Sequence, residues 1–385
     1  MATLSTVDIL ERLVAFPTVS RDPNLALIDW VRNYLASHGV RSHLVPDSTG
    51  HKANLFASVG PLAEGGLVLS GHTDVVPIDG QSWTTDPFTL TARGSRLHAR
   101  GACDMKGFIA SALSRVPGWC TSKLSRPVHL MLSYDEELGC LGAPSMIAAA
   151  EHALPAPAVV IVGEPTSMRI ATEHKSIRTL CTHVKGVEAH SSLTHRGMSA
   201  VMLAGDLVAH LGELARQFAA HGLPGARRFE PPYTTLSVNR IEGGTALNIL
   251  AAECEFLWEI RAVPGETPKM IVDRLASFVD TYLASLEKEG KLCAVETSVQ
   301  ADVPALHADG GAAEKLVRAV MPSAGETIAV PFATEGGQFQ RAGWSTVVCG
   351  PGRIEQAHKP NEFVEESELT ACDALLDRLV AHHCR

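Results

Sequence analysis

The stretch RPVHLMLSYDEE, residues 126–137, decides how the rest of the chain is read. Val128, Leu130 and Leu132 have the spacing of a strand entering a core, yet the run ends in Asp135, Glu136 and Glu137. Adjacent carboxylates repel one another, and burying them without partners is costly. Bulk water, basic neighbours or a metal must compensate. Strand alternation would also send Glu136 and Glu137 to opposite faces. If both serve one site, the backbone must leave strand geometry here.

The same form recurs on either side. GLVLSGHTD (66–74) is an apolar run ending in His72 and Asp74, and VVIVGEPT (159–166) ends in Glu164. Helix-like segments separate these runs, MKGFIASALSRV (105–116) and GAPSMIAAAEHA (142–153). Upstream lie a helix pair, 5–16 and 24–38, and the strand candidates RSHLVP (41–46) and NLFASVG (54–60). Apolar strands alternating with helices predict an α/β domain with a mostly parallel sheet. From about residue 177 the pattern changes. RTLCTHVKG (178–186) reads as a strand, 199–220 as a long helix, and TLSVNRIEGG (235–244) and ILAAECEFLWEIRA (249–262) as alternating strands. A second helix follows at 267–289, with Thr267 and Pro268 as its start signals, and KLCAVETSV (291–299) closes the set. That βαββαβ order is the ferredoxin-like arrangement. The α/β pattern then resumes through STVVCGPG (345–352) to a C-terminal helix. The expected organisation is a catalytic domain, 1–176 and 301–385, interrupted by an α+β domain, 177–300.

Composition narrows the function classes. The chain has 385 residues, 45% hydrophobic and 19% charged, with ample material for a core. A net charge of -9 without a Lys/Arg block argues against nucleic acid as a partner. The first twenty residues carry Asp8, Glu11 and Arg12 within an apolar pattern and read as an amphipathic helix rather than a signal peptide. No apolar run approaches a membrane span. Nine scattered cysteines without a CxxC pair suggest neither a disulfide framework nor a thiolate zinc site. A cytoplasmic protein with reduced cysteines is the expectation.

Ligands of open α/β sheets bind outside the carboxyl ends of the strands. His72, Asp74, Glu136, Glu137 and Glu164 are therefore expected at one rim. RGACDMKG (100–107) adds Asp104 just before a helix, and GPGRIEQAHKPNE (350–362) adds His358. Each signal alone has a plain reading as a solvated pair, a capping carboxylate or an exposed loop histidine. Their coincidence at one edge fits a divalent site that favours zinc or cobalt over magnesium.

Here the chain resembles a known family. SGHTDVVP, GACDMKGF, DEELG, GEPT and GPGRIEQAHKPNE resemble, in order, the motifs of the M20 family of dinuclear metallohydrolases. The motif variants are most similar to the acetylornithine deacetylase branch, with succinyl-diaminopimelate desuccinylases and aminoacylases as relatives. The resemblance implies two divalent ions, zinc or alternatively cobalt, held by His72, a bridging Asp104, Glu137, Glu164 and His358. It makes Asp74 the residue orienting the His72 ring, Glu136 the general base, and the Asp104–Met105 peptide a candidate cis bond. The inserted domain becomes a lid and dimerisation domain, and His190, in KGVEAHSS, the oxyanion donor, often supplied across a dimer. Lys175, Asn248, Arg261, Thr334 and Glu335 fall where relatives contact substrate. The implied reaction is hydrolysis of N2-acetyl-L-ornithine, with another N-acyl-amino-acid deacylase or a metal-dependent dipeptidase as alternatives.

Overall fold

The computed structural model describes residues 4–322 and 325–385. The chain forms two units, Met1–Glu173 with Leu306–Ala329 and Thr334–Arg385, and His174–Ala305 with Val330–Ala333. In chain order the elements begin with α1 (Thr6–Val14), α2 (Leu25–Ser37), β1 (Ser42–Pro46), β2 (Ala53–Val59), β3 (Leu67–His72), β4 (Thr91–Arg93) and β5 (Arg96–His98). There follow α3 (Lys106–Thr121), β6 (Val128–Ser133), α4 (Ala143–Ala153), β7 (Val159–Pro165) and β8 (Ala171–His174). The second unit holds β9 (Ile177–Lys185), α5 (Ala200–Ala220), β10 (Thr235–Gly243), β11 (Glu253–Arg261), α6 (Pro268–Lys288) and β12 (Ala294–Val303). The chain then returns through α7 (Ala312–Val320), β13 (Ile328–Val330), α8 (Gly336–Arg341), β14 (Ser345–Gly350), β15 (Phe363–Glu365) and α9 (Glu366–His383).

The first unit is built on a sheet ordered β1-β2-β6-β3-β7-β14-β8-β13. Its centre, β6-β3-β7-β14, is parallel, while β1, β2 and β8 pair antiparallel. Every residue of β3, β6 and β7 is buried, as expected of parallel strands covered on both faces. From β3 the chain crosses to β6 on one side; from β6 it crosses to β7 on the other. Such a switch in strand order opens a crevice at the carboxyl ends. Those ends carry His72, the acids after β6, and Glu164.

The second unit is a four-stranded antiparallel sheet, β10-β11-β9-β12, with α5 and α6 packed on it. One face of β11 is buried, at Cys254, Phe256, Trp258 and Ile260, and α5 buries Leu203, Leu207, Leu211 and Leu214 at helical spacing. The βαββαβ order is as the periodicity predicts, and α6 begins at Pro268.

Two features depart from the expected pattern. A three-stranded sheet, β15-β5-β4, joins strands of three residues each, too short for periodicity to register. Helix α3 also runs through Pro117 to Thr121 rather than ending at Val116. Proline removes the N–H that would bond the carbonyl four residues back. That carbonyl belongs to Leu113, and the Tyr34 hydroxyl donates to it at 3.2 Å. The orphaned acceptor is satisfied from another helix, so the break that proline imposes is repaired.

Candidate metal centre

Strand β3 delivers His72 at its last residue, and the parallel register, Ser70 opposite Val162, carries forward to set His72 beside Glu164 on β7. Nε2 of His72 lies 3.8 Å from Glu164 Oε1 and 3.0 Å from Asp104 Oδ1. Asp104 reaches this point because α3 packs tightly on β7. A side-chain carbon at Gly163 would lie 2.0 Å from the Phe108 ring, so glycine there permits the approach. The Asp104–Met105 peptide is cis.

The second oxygen of Asp104 faces another set. His358 Nε2 is 3.2 Å from Asp104 Oδ2 and 3.0 Å from Glu137 Oε2. Asp104 thus stands between two clusters, His72 with Glu164 and His358 with Glu137. His358 itself adopts a left-handed backbone (φ 62°), which aims it back over the rim from a loop where it stays half exposed.

The acids after β6 are separated by the backbone, as the alternation argument requires. The strand stops at Ser133, and Asp135 turns left-handed at φ 54°. Asp135 then leaves the centre and pairs with Lys52 at 2.6 Å. Glu136 and Glu137 both turn inward because their backbone N–H groups donate to the Asp74 carboxylate, at 3.1 and 3.3 Å. Asp74 also accepts the Ser20 hydroxyl at 2.7 Å. This refines its expected role: His72 Nδ1 donates to the Asp74 main-chain carbonyl at 2.9 Å, and the carboxylate is 3.6 Å away. Asp74 orients the ring through its backbone and the glutamates through its side chain.

Charges in the centre are strongly perturbed. Burial pushes the pKa values of Glu136, Glu137 and Glu164 up, and the neighbouring carboxylates push the same way. For Asp104, burial is outweighed by His358 and His72, which hold it below the ordinary carboxylate range. Hydrogen bonds to Asp104 and Glu137 raise His358 to about 10. Oε1 of Glu137 and Oε1 of Glu164 are buried without a hydrogen-bond donor among the described residues. Buried, inward-facing carboxylate oxygens beside two imidazoles form a donor set that suits a divalent cation. Ligand atoms of His72, Asp104 and Glu137 lie within 4.8 Å of one another, as do those of His72, Glu136 and Glu164. The residues fit the ions the motifs imply, and spacing alone does not separate Glu136 from the ligands.

The remaining candidates fall in two places. Thr334 and Glu335 belong to the first unit. Thr334 accepts from the Gly336 N–H at 3.0 Å, and Glu335 is buried, its Oε2 accepting the Ser70 hydroxyl at 3.2 Å and its Oε1 unpartnered. Ser70 precedes His72 by two residues on β3, so the two share a face.

His190, Asn248, Lys175 and Arg261 belong to the second unit. His190 and Asn248 share one corner, where the Ser191 N–H donates to the Asn248 carbonyl at 3.0 Å. The Ser192 N–H donates to His190 Nδ1 at 3.2 Å, which places the ring proton on Nε2. Arg261, paired with Glu259 at 3.0 Å, stands at the opposite end of β11. Lys175 lies at that end too, but it is buried and donates to the carbonyls of Pro231 and Tyr233 at 2.9 and 2.7 Å. Burial and the nearby Arg261 lower its pKa to about 8. A substrate contact by Lys175 would have to displace these bonds.

Sequence reading assigned nothing to Arg100, Glu362 or Lys52, although the first two lie inside the quoted motifs. Glu362 accepts the N–H groups of Cys103 and Asp104 at 2.9 and 3.1 Å, and Arg100 pairs with it at 2.7 Å, both side chains buried. An arginine and a glutamate without assigned partners, each a few residues from a ligand, are the only signal the sequence offers.

Comparison with known proteins agrees with this geometry. Residues 68–382 match the family model described as "Peptidase family M20/M25/M40". An acetylornithine deacetylase of Myxococcus xanthus is 35% identical over 97% of this chain and 96% of its own length. One from Photorhabdus laumondii is 32% identical over 98% and 97%. Among solved structures, an M20 family metallo-carboxypeptidase from Sulfolobus solfataricus superposes with a TM-score of 0.74 at 18% identity, covering 97% of this chain and 98% of that one. A dinuclear metal binding peptidase from Bacillus subtilis gives 0.65 at 15% identity, covering 97% and 96%. With the motifs in order, the ligand types converging on one rim and the match running almost end to end, the chain belongs to the M20/M25/M40 family of metallopeptidases and amidohydrolases.

Proposed function

We propose that the protein hydrolyses the acetyl amide of N2-acetyl-L-ornithine, giving L-ornithine and acetate, with two zinc ions or, alternatively, cobalt. The observation that carries this reading is Asp104, whose two oxygens face two separate ligand sets while Glu136 stands beside them. Two curated relatives named acetylornithine deacetylase support the choice of substrate. His72, Asp104 and Glu164 would hold one ion, and Asp104, Glu137 and His358 the other. When bound, such ions supply Lewis-acid polarisation of a carbonyl and acidify water.

The chain's own groups do the rest. The Cys140 thiol donates to Glu136 Oε1 at 3.2 Å, leaving the other oxygen to take a proton from water and return it to the leaving amine. His190, with its proton on Nε2, is the donor for the oxyanion that develops on the substrate. The Arg261 guanidinium suits the amino-acid carboxylate. The unpartnered oxygen of Glu335 and the Thr334 hydroxyl suit the side-chain ammonium. A panel of N-acetylornithine, N-succinyl-diaminopimelate, simple N-acetyl amino acids and dipeptides, run with metal-reconstituted protein, tests this. N-acetylornithine should lead by at least tenfold in kcat/KM, about 1.4 kcal/mol of transition-state discrimination. Equal turnover of simple N-acetyl amino acids would make the protein a general aminoacylase.

The second unit supports an assembly of two copies. Between Glu253 and Arg261 the β11 strand spans roughly 27 Å at about 3.4 Å per residue, and His190 and Arg261 lie beyond or at opposite ends of it. One amino-acid-sized ligand cannot touch both in the same copy, so one of them acts from a partner. Leu247 is fully exposed beside His190, as are large parts of Met202 and Ile241. Mixing separately inactive His190→Ala and Glu136→Gln proteins under subunit exchange should restore activity, because some hybrid sites carry both native groups. A mixture as inactive as its components would sink the shared site.

A further inference from the structure

Four of the five proposed ligands have an evident support. His72 and Glu164 are held by central strands, Glu137 by Asp74, and Asp104 by Glu362. His358 is different: its loop is left-handed at both His358 and Asn361, and its side chain is half exposed. Thr84 and His98 hold the loop at Asn361, and a chain of bonds from the Asp104 side reaches His358 itself. Glu362 Oε1 accepts the Cys103 and Asp104 N–H groups, and its Oε2 accepts Arg100 Nη1 at 2.7 Å. Arg100 Nη2 donates to Gln81 Oε1 at 2.6 Å, and Gln81 Nε2 donates to the His358 carbonyl at 3.0 Å. The guanidinium lies over the Trp83 ring, 5.1 Å from its centroid.

A buried ion pair contributes little net stability, since apolar residues of similar volume serve as well or better. Its presence here fits another role. The planar fork of Arg100 holds two acceptors on different loops in fixed directions, which no apolar side chain does. We propose that Glu362, Arg100 and Gln81 are positioning residues that lock the Asp104 and His358 loops into one frame, and so set the affinity of the Asp104–Glu137–His358 ligand set for its ion. This inference rests on the dinuclear reading above. It predicts an unequal effect, because the His72 and Glu164 set takes its geometry from the strands and shares only Asp104 with this frame.

Cobalt titration of the chelator-stripped full-length protein, followed by its visible absorption and by competition with a chromophoric chelator, tests this without measuring turnover. His358→Ala identifies which binding step belongs to the His358 set. Glu362→Gln should weaken that step by about 10–100-fold, the usual effect of removing a ligand's supporting hydrogen bonds, and weaken the other step less, because the two steps share only Asp104. Gln81→Ala, at a partly exposed position with little consequence for folding, should weaken the same step and covers the case in which Glu362→Gln does not fold. Variants that bind both ions like the parent, or that weaken both steps equally, overturn the inference. A parent that takes up fewer than two ions overturns the dinuclear reading instead, and this inference with it.

Discussion

Glu136→Gln should bring kcat down by about 10²–10⁴-fold, the usual contribution of a general base, while the protein still takes up two divalent ions. The amide is close to isosteric with the carboxylate and can keep the oxygen that accepts from Cys140. It cannot take a proton from water. The ion count is the decisive companion measurement, because Glu136 lies as near to His72 and Glu164 as a ligand would. Loss of an ion along with activity would reassign Glu136 as a ligand. Retained turnover would remove it from the mechanism altogether. Burial and surrounding carboxylates raise its pKa, which suits a base working near neutrality; cationic charge in the centre would oppose that rise.

The largest expected effect on stability is a pH dependence that metal counteracts. In the stripped protein, Glu136, Glu137 and Glu164 have pKa values raised above 4.5. Each therefore contributes stability below its ordinary value that is lost as pH rises through its folded value. His358, raised from 6.5 to about 10, contributes fully below 6.5 and loses its contribution as pH rises toward 10. His72, also raised, acts in the same direction; burial opposes its charge, but Asp104 and Asp74 outweigh it. Asp104 and Asp74 have lowered values and act oppositely, but only as pH falls below 3.8. His129, lowered to about 4 by burial, acts oppositely below 6.5, but the five raised groups outnumber it, so the melting temperature of the stripped protein should fall from pH 5 to pH 8. Ligands must lose their protons to bind, so metal stabilisation grows over the same interval. The gap between loaded and stripped melting temperatures should widen steadily toward pH 8. A gap that stays constant or narrows would show that these side chains are not the ligands.

Much of the centre was legible because ligand-type residues directly follow apolar strands in a parallel sheet. His72, Glu137 and Glu164 need only that rule, and His358 needs it together with the motif around it. Other features depend on contacts that no local pattern encodes. No local pattern gives Asp135 a role, because its partner, Lys52, is 83 residues away. The grip of Asp74 on the acids was invisible because it acts on backbone N–H groups whose direction follows from the left-handed turn at Asp135. Continuation of α3 past Pro117 was hidden because it depends on a hydroxyl from another helix. Short strands and buried polar frames escape periodicity for the same reason.

The interrupted order of the chain governs when the protein can become itself during synthesis. Strand β14 pairs with β7 and β8, yet it is made after the whole inserted unit. His358 and Glu362 follow it, close to the C-terminus. Until β14 and the loop after it have emerged from the ribosome, the nascent chain has a sheet lacking an inner strand and a proposed ligand set lacking its final imidazole. The inserted unit, whose four strands and two helices are contiguous, is free to fold first as it emerges. In the dinuclear reading, a complete set for the second ion exists only after that loop has emerged.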